Sequence, residues 1–178
     1  MDDSAKTTAE EAVQQAKVSV LFVCLGNICR SPSAEAVFRQ LVEEGGLSDR
    51  VQIDSAGTGD WHVGAAPDER ATAAAKSRGY ELSALRARQV AQDDCMQHDY
   101  LIVMDGQNFD AVKELCPNAN ARRLLDFAPD QKVRDVPDPY YGGEDGFDEV
   151  LDLIVEATRG LLADVKGRLK VPAVELGG

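Results

Sequence analysis

The sequence predicts one α/β domain with a three-layer α/β/α fold, in which a four-stranded parallel sheet lies between two layers of helices. Short apolar runs typical of buried strands alternate with segments of helical periodicity along most of the chain. Alternating strands and helices form parallel sheets with helices on both faces. The chain has 178 residues, of which 44% are hydrophobic, so it can bury one sizeable core.

Four segments are predicted to be strands. The first and third consist almost entirely of apolar residues, as expected for strands that are buried on both faces of a parallel sheet. The second and fourth are short runs between turn-forming segments. In chain order, the four predicted strands are Val18–Cys24 and residues 51–55, 100–104 and 123–126.

Four helices are predicted to follow these strands. Each begins at a good N-cap or at a first-turn proline, and the first two end at glycines, at positions 45–46 and 79. The third runs to about residue 115. The residues predicted to start the four helices are Ser31, Pro67, Asp105 and Asp145. The apolar face predicted for the last helix consists of Phe147, Val150, Leu151, Ile154, Leu161, Leu162 and Val165.

Both ends of the chain are predicted to lie outside this domain, which then spans residues 18–167. Residues 1–17 are polar and could form either a short capped helix or a frayed tail. They contain no apolar core of the kind that a secretory signal needs, so we expect the protein in the cytoplasm. Residues 168–178 are expected to form a loose tail.

Composition argues against several classes of function. The net charge of −12 disfavours nucleic-acid binding, and no apolar run approaches the roughly 20 residues of a membrane span. Four cysteines are too few for a disulfide framework, so all four are expected to be thiols, with Cys95 and Cys116 in structural positions. No second cysteine pair and only two histidines accompany Cys24 and Cys29, so no metal site is predicted.

The most informative segment joins the first strand to the first helix and lies within the string VLFVCLGNICRSPSAEAVF. Ligands bind at the carboxyl ends of parallel strands, and Cys24 ends the first strand. Gly26 and Asn27 tolerate left-handed backbone, so consecutive N–H groups of the loop can turn toward an anion. Arg30 adds donors that match phosphate oxygens. The loop is therefore predicted to bind phosphate, arsenate or sulfate.

Cys24 adds a nucleophile to this predicted anion site. A helix N-terminus and a nearby cation both favour the thiolate form of a cysteine. Five residues separate Cys24 from Arg30, so this C-x5-R loop can arch around a tetrahedral group with the sulfur beneath it. Such a geometry favours in-line attack on phosphorus.

Four segments together resemble the low-molecular-weight protein tyrosine phosphatases. They read VCLGNICRSPSAE, DSAGTGDWHVG, DYLIVMD and DPYYGG, and they occur in the family's order between about residues 18 and 166. The resemblance implies a flavodoxin-like fold with four parallel strands. It also implies hydrolysis of phosphotyrosine in a protein, such as a tyrosine kinase, without a cofactor. Phosphate and vanadate are then expected to inhibit.

The resemblance also implies roles for individual residues. Cys24 would form a phosphocysteine, Arg30 would bind the phosphoryl oxygens, and Asp138 would protonate the leaving phenolate and then activate water. Ser31 would hydrogen-bond the thiolate. The other residues predicted to bind phosphate or substrate are Leu25, Gly26, Asn27, Ile28, Cys29, Trp61, Tyr140 and Tyr141, with Ser55 supporting Asn27.

The resemblance leaves two alternative activities on the same fold and two possible roles for Cys29. Thioredoxin-coupled arsenate reductases need two further cysteines close together, whereas Cys95 and Cys116 are 21 positions apart. Protein arginine phosphatases carry threonine at the position of Ile28, and an apolar residue there favours an aryl substrate. Cys29 is either a resolving thiol that forms a reversible disulfide with Cys24 or a small core residue.

Overall fold

The structure, a computed structural model, describes residues 17–143 and 145–176, without the side chains of residues 141 and 170–176. Residues 1–16 of the predicted N-terminal extension lie outside this range. Four strands form one parallel sheet in the order β2-β1-β3-β4. The strands are β1 (Val18–Cys24), β2 (Val51–Gly57), β3 (Tyr100–Val103) and β4 (Ala121–Arg123). The predicted α/β architecture is confirmed.

Helices cover both faces of the sheet. The α-helices among the described residues are α1 (Arg30–Glu44), α2 (Glu69–Ser77), α3 (Gln92–Gln97), α4 (Gly106–Leu115) and α5 (Asp145–Leu176). Two short 3₁₀ turns follow β4 and precede α5, at Leu124–Phe127 and Pro139–Tyr141. No helix in the described part of the chain is long and apolar enough to cross a membrane.

The side chains of β1 alternate between two apolar cores. Phe22 and its even-numbered neighbours pack with α1 and α5, where the Phe22 and Phe38 rings meet edge to face at 5.7 Å. Leu21 and Val23 point to the opposite core, which is closed by α4 and by the half-buried Cys95 of α3. The predicted apolar face of α5 is buried in full. This burial on both faces explains why β1 is apolar throughout.

Several predicted boundaries are wrong by a few residues for identifiable reasons. The helix predicted from Pro67 starts at Glu69, because the Asp68 carboxylate caps it by accepting from the N–H groups of Arg70 and Ala71 at 2.8 and 3.2 Å. The strand predicted over residues 123–126 ends at Arg123. The next two leucines are both fully buried, which a 3₁₀ turn allows and the alternation of a strand does not.

Two further elements differ from the prediction. The short helix α3 was not predicted, because its sequence QDDCMQ is polar and lacks an apolar stripe. The loose tail predicted from Arg168 is wrong at its start, since α5 continues to Leu176. Arg168 pairs with Asp99 at 3.0 Å, and Leu169 is buried in the main core. These contacts extend the helix beyond the predicted domain boundary.

Cys95 and Cys116 form a disulfide, so the expectation of four thiols is wrong for this pair. Both residues pack on the core under α3 and α4, and their Cα atoms lie 6.6 Å from each other. Separation along the chain was therefore a poor guide to their separation in space. Cys24 and Cys29 are free and buried.

We predict that the Cys95→Ser variant unfolds at a lower temperature than the wild type. Closing a loop of 21 residues restricts the unfolded chain and contributes about 3 kcal/mol. For a domain of this size that corresponds to a loss of roughly 6–12 °C in Tm, measured by calorimetry. Reductant should lower the wild-type Tm by the same amount and leave the variant unchanged. A wild-type Tm that is insensitive to reductant would contradict the bond.

Candidate active site

A cavity of about 290 Å³ opens where the strand order reverses, at the carboxyl ends of β1 and β3. Crevices at this point of a parallel sheet are the usual ligand sites. Cys24, the last residue of β1, lies at the cavity together with the loop that leads into α1. The lining residues are Cys24, Leu25, Gly26, Ile28, Cys29, Arg30, Trp61, His62, Asp138 and Tyr140.

Asn27 holds the backbone of this loop. It has φ +56°, a left-handed conformation that asparagine adopts more readily than most residues. Its amide nitrogen donates to the hydroxyls of Ser31 at 2.8 Å and Ser55 at 3.0 Å, and its amide oxygen accepts from the backbone N–H of Arg88 at 3.0 Å. Three polar contacts therefore fix one buried side chain at the centre of the loop.

Gly26 does not share this left-handed conformation, contrary to the prediction. A Cβ atom here would lie 2.9 Å from Cδ2 of His62, so a larger residue would require that side chain to move. Gly57 at the end of β2 is similarly constrained, since a Cβ atom there would lie 2.8 Å from the carbonyl oxygen of Leu25. Both glycines let other chain segments approach the loop closely.

The sulfur of Cys24 has two polar neighbours. The Ser31 hydroxyl lies 2.9 Å from Sγ, and the backbone N–H of Asn27 donates to it at 3.3 Å. Ser31 is therefore not the N-cap that the sequence predicted. The helix begins one residue earlier, at Arg30, with Cys29 in the cap position, and the Ser31 hydroxyl turns to the sulfur instead of capping. These donors can stabilise a negative charge on sulfur.

Arg30 is a buried cation held by acidic groups from two other segments. Its NH1 donates to Asp105 at 2.5 Å and to the carbonyl oxygen of Val136 at 3.0 Å, while NH2 lies 3.5 Å from Asp138. Burial alone would lower the pKa of Arg30, but Cys24 and the two carboxylates outweigh it and raise that pKa. Arg30 therefore remains charged at the base of the cavity.

Asp105 has two functions, one in α4 and one at the cavity. One carboxylate oxygen caps α4 by accepting from the N–H of Asn108 at 2.7 Å, as predicted. The other pairs with Arg30. The signal for this second role is its position directly after β3, at the edge of the sheet where Cys24 also lies.

Asp138 comes from a loop more than 100 positions away along the chain and faces Arg30 across the cavity. One of its carboxylate oxygens accepts from the N–H of Tyr140 at 3.0 Å, and the other lies 3.5 Å from Arg30 NH2. The side chain is 30% exposed, so it can reach both a bound group and water.

Aromatic and apolar side chains surround the mouth of the cavity. Trp61 is 70% exposed and Tyr140 is 38% exposed. His62 also lines the cavity, and the centre of its ring lies 6.4 Å from that of Tyr140. Tyr141, also predicted as a wall, has a side chain outside the described part of the structure.

Ile28 and Cys29 both line the cavity and also pack into a small core with residues of α2 and α5. Burial raises the pKa of the Cys29 thiol, and the carboxylates of Asp68 and Asp138 raise it further. Cys29 is therefore a protonated thiol beside Cys24. Both roles predicted for Cys29, a core residue and a resolving thiol, remain compatible with this position.

Support for the loop extends to residues that the sequence did not identify. Glu35 in α1 is buried and accepts from the Ser55 hydroxyl at 2.7 Å, so it holds the partner of Asn27. The guanidinium of Arg88 is held by Asp54 and by Asp94, which brings its backbone N–H to Asn27. Their roles were not predicted, because each acts through a contact between distant segments.

Comparison with known proteins gives one consistent result. A family model described as low molecular weight phosphotyrosine protein phosphatase matches residues 19–171. The chain is 43% identical over 152 residues to the low molecular weight protein-tyrosine-phosphatase YfkJ of Bacillus subtilis, which covers 84% of this chain and 96% of YfkJ. The crystal structure of YfkJ superposes with a TM-score of 0.81, at 42% identity, over 86% of this chain and 97% of YfkJ.

A structure with a bound ligand is also similar. Wzb of Vibrio vulnificus, solved in complex with benzylphosphonate, superposes with a TM-score of 0.73 at 26% identity, over 83% of this chain and 98% of Wzb. The match of the family model spans most of the chain, and the relatives are matched over nearly their whole length. The chain therefore belongs to the low molecular weight protein-tyrosine phosphatase family of hydrolases.

Proposed function

We propose that this enzyme hydrolyses phosphotyrosine in proteins through a phosphocysteine intermediate. One observation carries the proposal: the Cys24 sulfur shares a cavity with the buried cation of Arg30 and the carboxylate of Asp138. These three groups are the nucleophile, the phosphate binder and the acid that such a reaction needs. Membership in the family supports the same assignment.

In the first half of the reaction, the Cys24 thiolate attacks phosphorus. A bond forms between sulfur and phosphorus while the bond from phosphorus to the phenolic oxygen breaks, and Asp138 gives its proton to that oxygen. In the second half, Asp138 takes a proton from water, the water oxygen bonds to phosphorus, and the sulfur–phosphorus bond breaks. The products are tyrosine, inorganic phosphate and the regenerated thiolate.

Arg30 would bind the transferred group and stabilise the charge on its oxygens. NH1 is held by Asp105 and by a backbone carbonyl, so the guanidinium has a fixed orientation. NH2 makes the longer contact to Asp138 and can turn to a phosphoryl oxygen without breaking a strong hydrogen bond. A cation that is fixed before the substrate arrives costs little reorganisation during the reaction.

The walls of the cavity favour an aryl phosphate. Ile28 presents an apolar side chain beside the loop, and Trp61 and Tyr140 lie at the mouth, where they can flank a phenyl ring. The ligand of the Vibrio relative, benzylphosphonate, also joins an aromatic ring to a phosphorus group. The protein substrate, such as a tyrosine kinase, and the cytoplasmic location that we expect remain part of the proposal.

Arsenate reduction is the less favoured reaction. The structure joins Cys95 and Cys116, but they pack in the core on one face of the sheet, whereas the Cys24 side chain belongs to the core on the other face. Cys24 and that pair therefore lie on opposite faces of the sheet. Cys29 is the one further free cysteine in the described part of the chain.

We predict that a single turnover of p-nitrophenyl phosphate produces a burst of nitrophenolate in the wild type and none in the Cys24→Ser variant. Asp138→Ala should slow steady-state turnover by roughly 10²–10⁴-fold, because the variant lacks the positioned base that activates water against the phosphocysteine. Stopped-flow absorbance measures both. Cys95→Ser is the matched control, because it alters a cysteine outside the cavity and should retain the burst. A burst in Cys24→Ser would rule out the proposed nucleophile.

We also predict that the wild type prefers phosphotyrosine peptides to phosphoarginine peptides, and that Ile28→Thr narrows this preference by about tenfold or more. The threonine hydroxyl would replace apolar surface beside the loop with a hydrogen-bonding group. Ile28→Val, which keeps the site apolar, is the control. Phosphate release from matched peptides gives kcat/KM for each. A wild type that prefers phosphoarginine would replace the proposed substrate and leave the phosphocysteine chemistry intact.

A further inference from the structure

Arg70, in the first turn of α2, touches the loop that carries Asp138. Its NH2 donates to the carbonyl oxygen of Tyr140 at 3.1 Å, and its guanidinium carbon lies 5.4 Å from the centre of the Tyr140 ring. The same group lies 4.8 Å from the ring centre of Phe147 at the start of α5. Arg70 therefore joins the acid loop to two helices.

Asp68 holds Arg70 in this position. The two side chains form a two-pronged ion pair, with Nε donating to one carboxylate oxygen at 3.2 Å and NH2 to the other at 3.0 Å. Asp68 is itself fixed because it caps α2. Although partial burial acts to raise its pKa, the hydrogen bonds from Arg70 and from the helix N–H groups lower the pKa of Asp68 overall. The ion pair between Arg70 and Asp68 therefore persists throughout the neutral pH range.

The same segment is anchored to the phosphate-binding loop. The backbone N–H of Asp68 donates to the carbonyl oxygen of Ile28 at 2.8 Å. Ile28 lines the cavity four residues after Cys24. A continuous path of hydrogen bonds thus runs from the loop that holds the sulfur, through Asp68 and Arg70, to Tyr140.

The backbone of Tyr140 connects Arg70 to Asp138, the proposed acid. Its N–H donates to one carboxylate oxygen of Asp138 at 3.0 Å, while its carbonyl oxygen accepts from Arg70. The two polar groups of one backbone residue are therefore held at once, on one side by Arg70 and on the other by Asp138. A shift of the Tyr140 backbone would therefore move the N–H that orients the carboxylate.

We propose that Arg70 is a positioning residue that sets the distance between Asp138 and the leaving-group oxygen. The inference rests on the function proposed above, in which Asp138 donates the proton. Arg70 acts through the backbone of Tyr140 and does not itself contact the phosphoryl group. Its loss should therefore weaken proton transfer and leave attack by Cys24 largely intact.

The test compares two aryl phosphates whose leaving groups differ in their need for a proton. Phenolate resembles the tyrosine side chain, which ionises near pH 10, so phenyl phosphate depends on the acid. Nitrophenolate is a far more stable anion and depends on it little. We expect Arg70→Ala to lower the pre-steady-state burst rate by about tenfold or more with phenyl phosphate and by less than about threefold with p-nitrophenyl phosphate.

Arg78 at the end of α2 provides the matched control. It also joins α2 to α5, through Asp152 at 2.7 Å and Asp148 at 3.3 Å, but its described contacts do not include the acid loop. Arg78→Ala should therefore change both burst rates by the same factor. Arg70→Lys is the second variant, because an ammonium keeps the charge beside Asp68 without the two-pronged geometry. For Arg70→Lys, the ratio of the burst rate with phenyl phosphate to that with p-nitrophenyl phosphate should lie between the ratios of the wild type and Arg70→Ala. Its Tm should be near that of the wild type.

The outcomes are distinct. A selective loss with phenyl phosphate in Arg70→Ala and, to a smaller degree, in Arg70→Lys supports the inference. Equal losses with both substrates, or no loss in either variant, would overturn it while the wild-type burst leaves the proposed function in place. A wild type that hydrolyses neither aryl phosphate would remove the proposed function and the role of Arg70 together.

Discussion

The buried guanidinium of Arg30 is the constraint on which the rest of the site depends. A cation taken out of water must be paired and hydrogen-bonded, or the folded state loses stability. Arg30 meets this requirement through Asp105, which follows β3, and through Val136 and Asp138, which come from the loop before α5. The charge of Arg30 therefore holds its own loop, the segment after β3 and the loop before α5 together near the sulfur of Cys24.

The topology of the sheet makes this gathering possible. In the order β2-β1-β3-β4, the ends of β1 and β3 are adjacent, so Asp105 reaches Arg30 in the loop after Cys24 although 75 positions separate the two residues. The acid loop has no strand of its own to place it. Arg30 holds it from one side and Arg70 contacts it from the other, while the backbone N–H of Val136 donates to the carbonyl oxygen of Met104 at 2.8 Å.

The sequence predicted the sheet and the anion loop because each leaves a local mark, whereas the role proposed for Asp138 came from the family resemblance. An apolar run marks β1, and the C-x5-R spacing marks the anion loop. What it could not predict depends on contacts between distant segments. Local pattern indicated only a helix cap for Ser31, and it was the family resemblance that implied the contact with the Cys24 sulfur. The Cys95–Cys116 bond follows from the packing of α3 beside α4. Arg70 stands in a helix whose alanine-rich sequence indicates only a helix.

Locating the phosphoryl group on the protein tests the central claim most directly. The Asp138→Asn variant, mixed with p-nitrophenyl phosphate, should form the intermediate readily, because the leaving group needs little help, and should hydrolyse it slowly. After a rapid quench, peptide mass spectrometry should find one phosphoryl group, on Cys24. A phosphoryl group on another residue, or release of phosphate with no labelled protein at any time, would contradict the account.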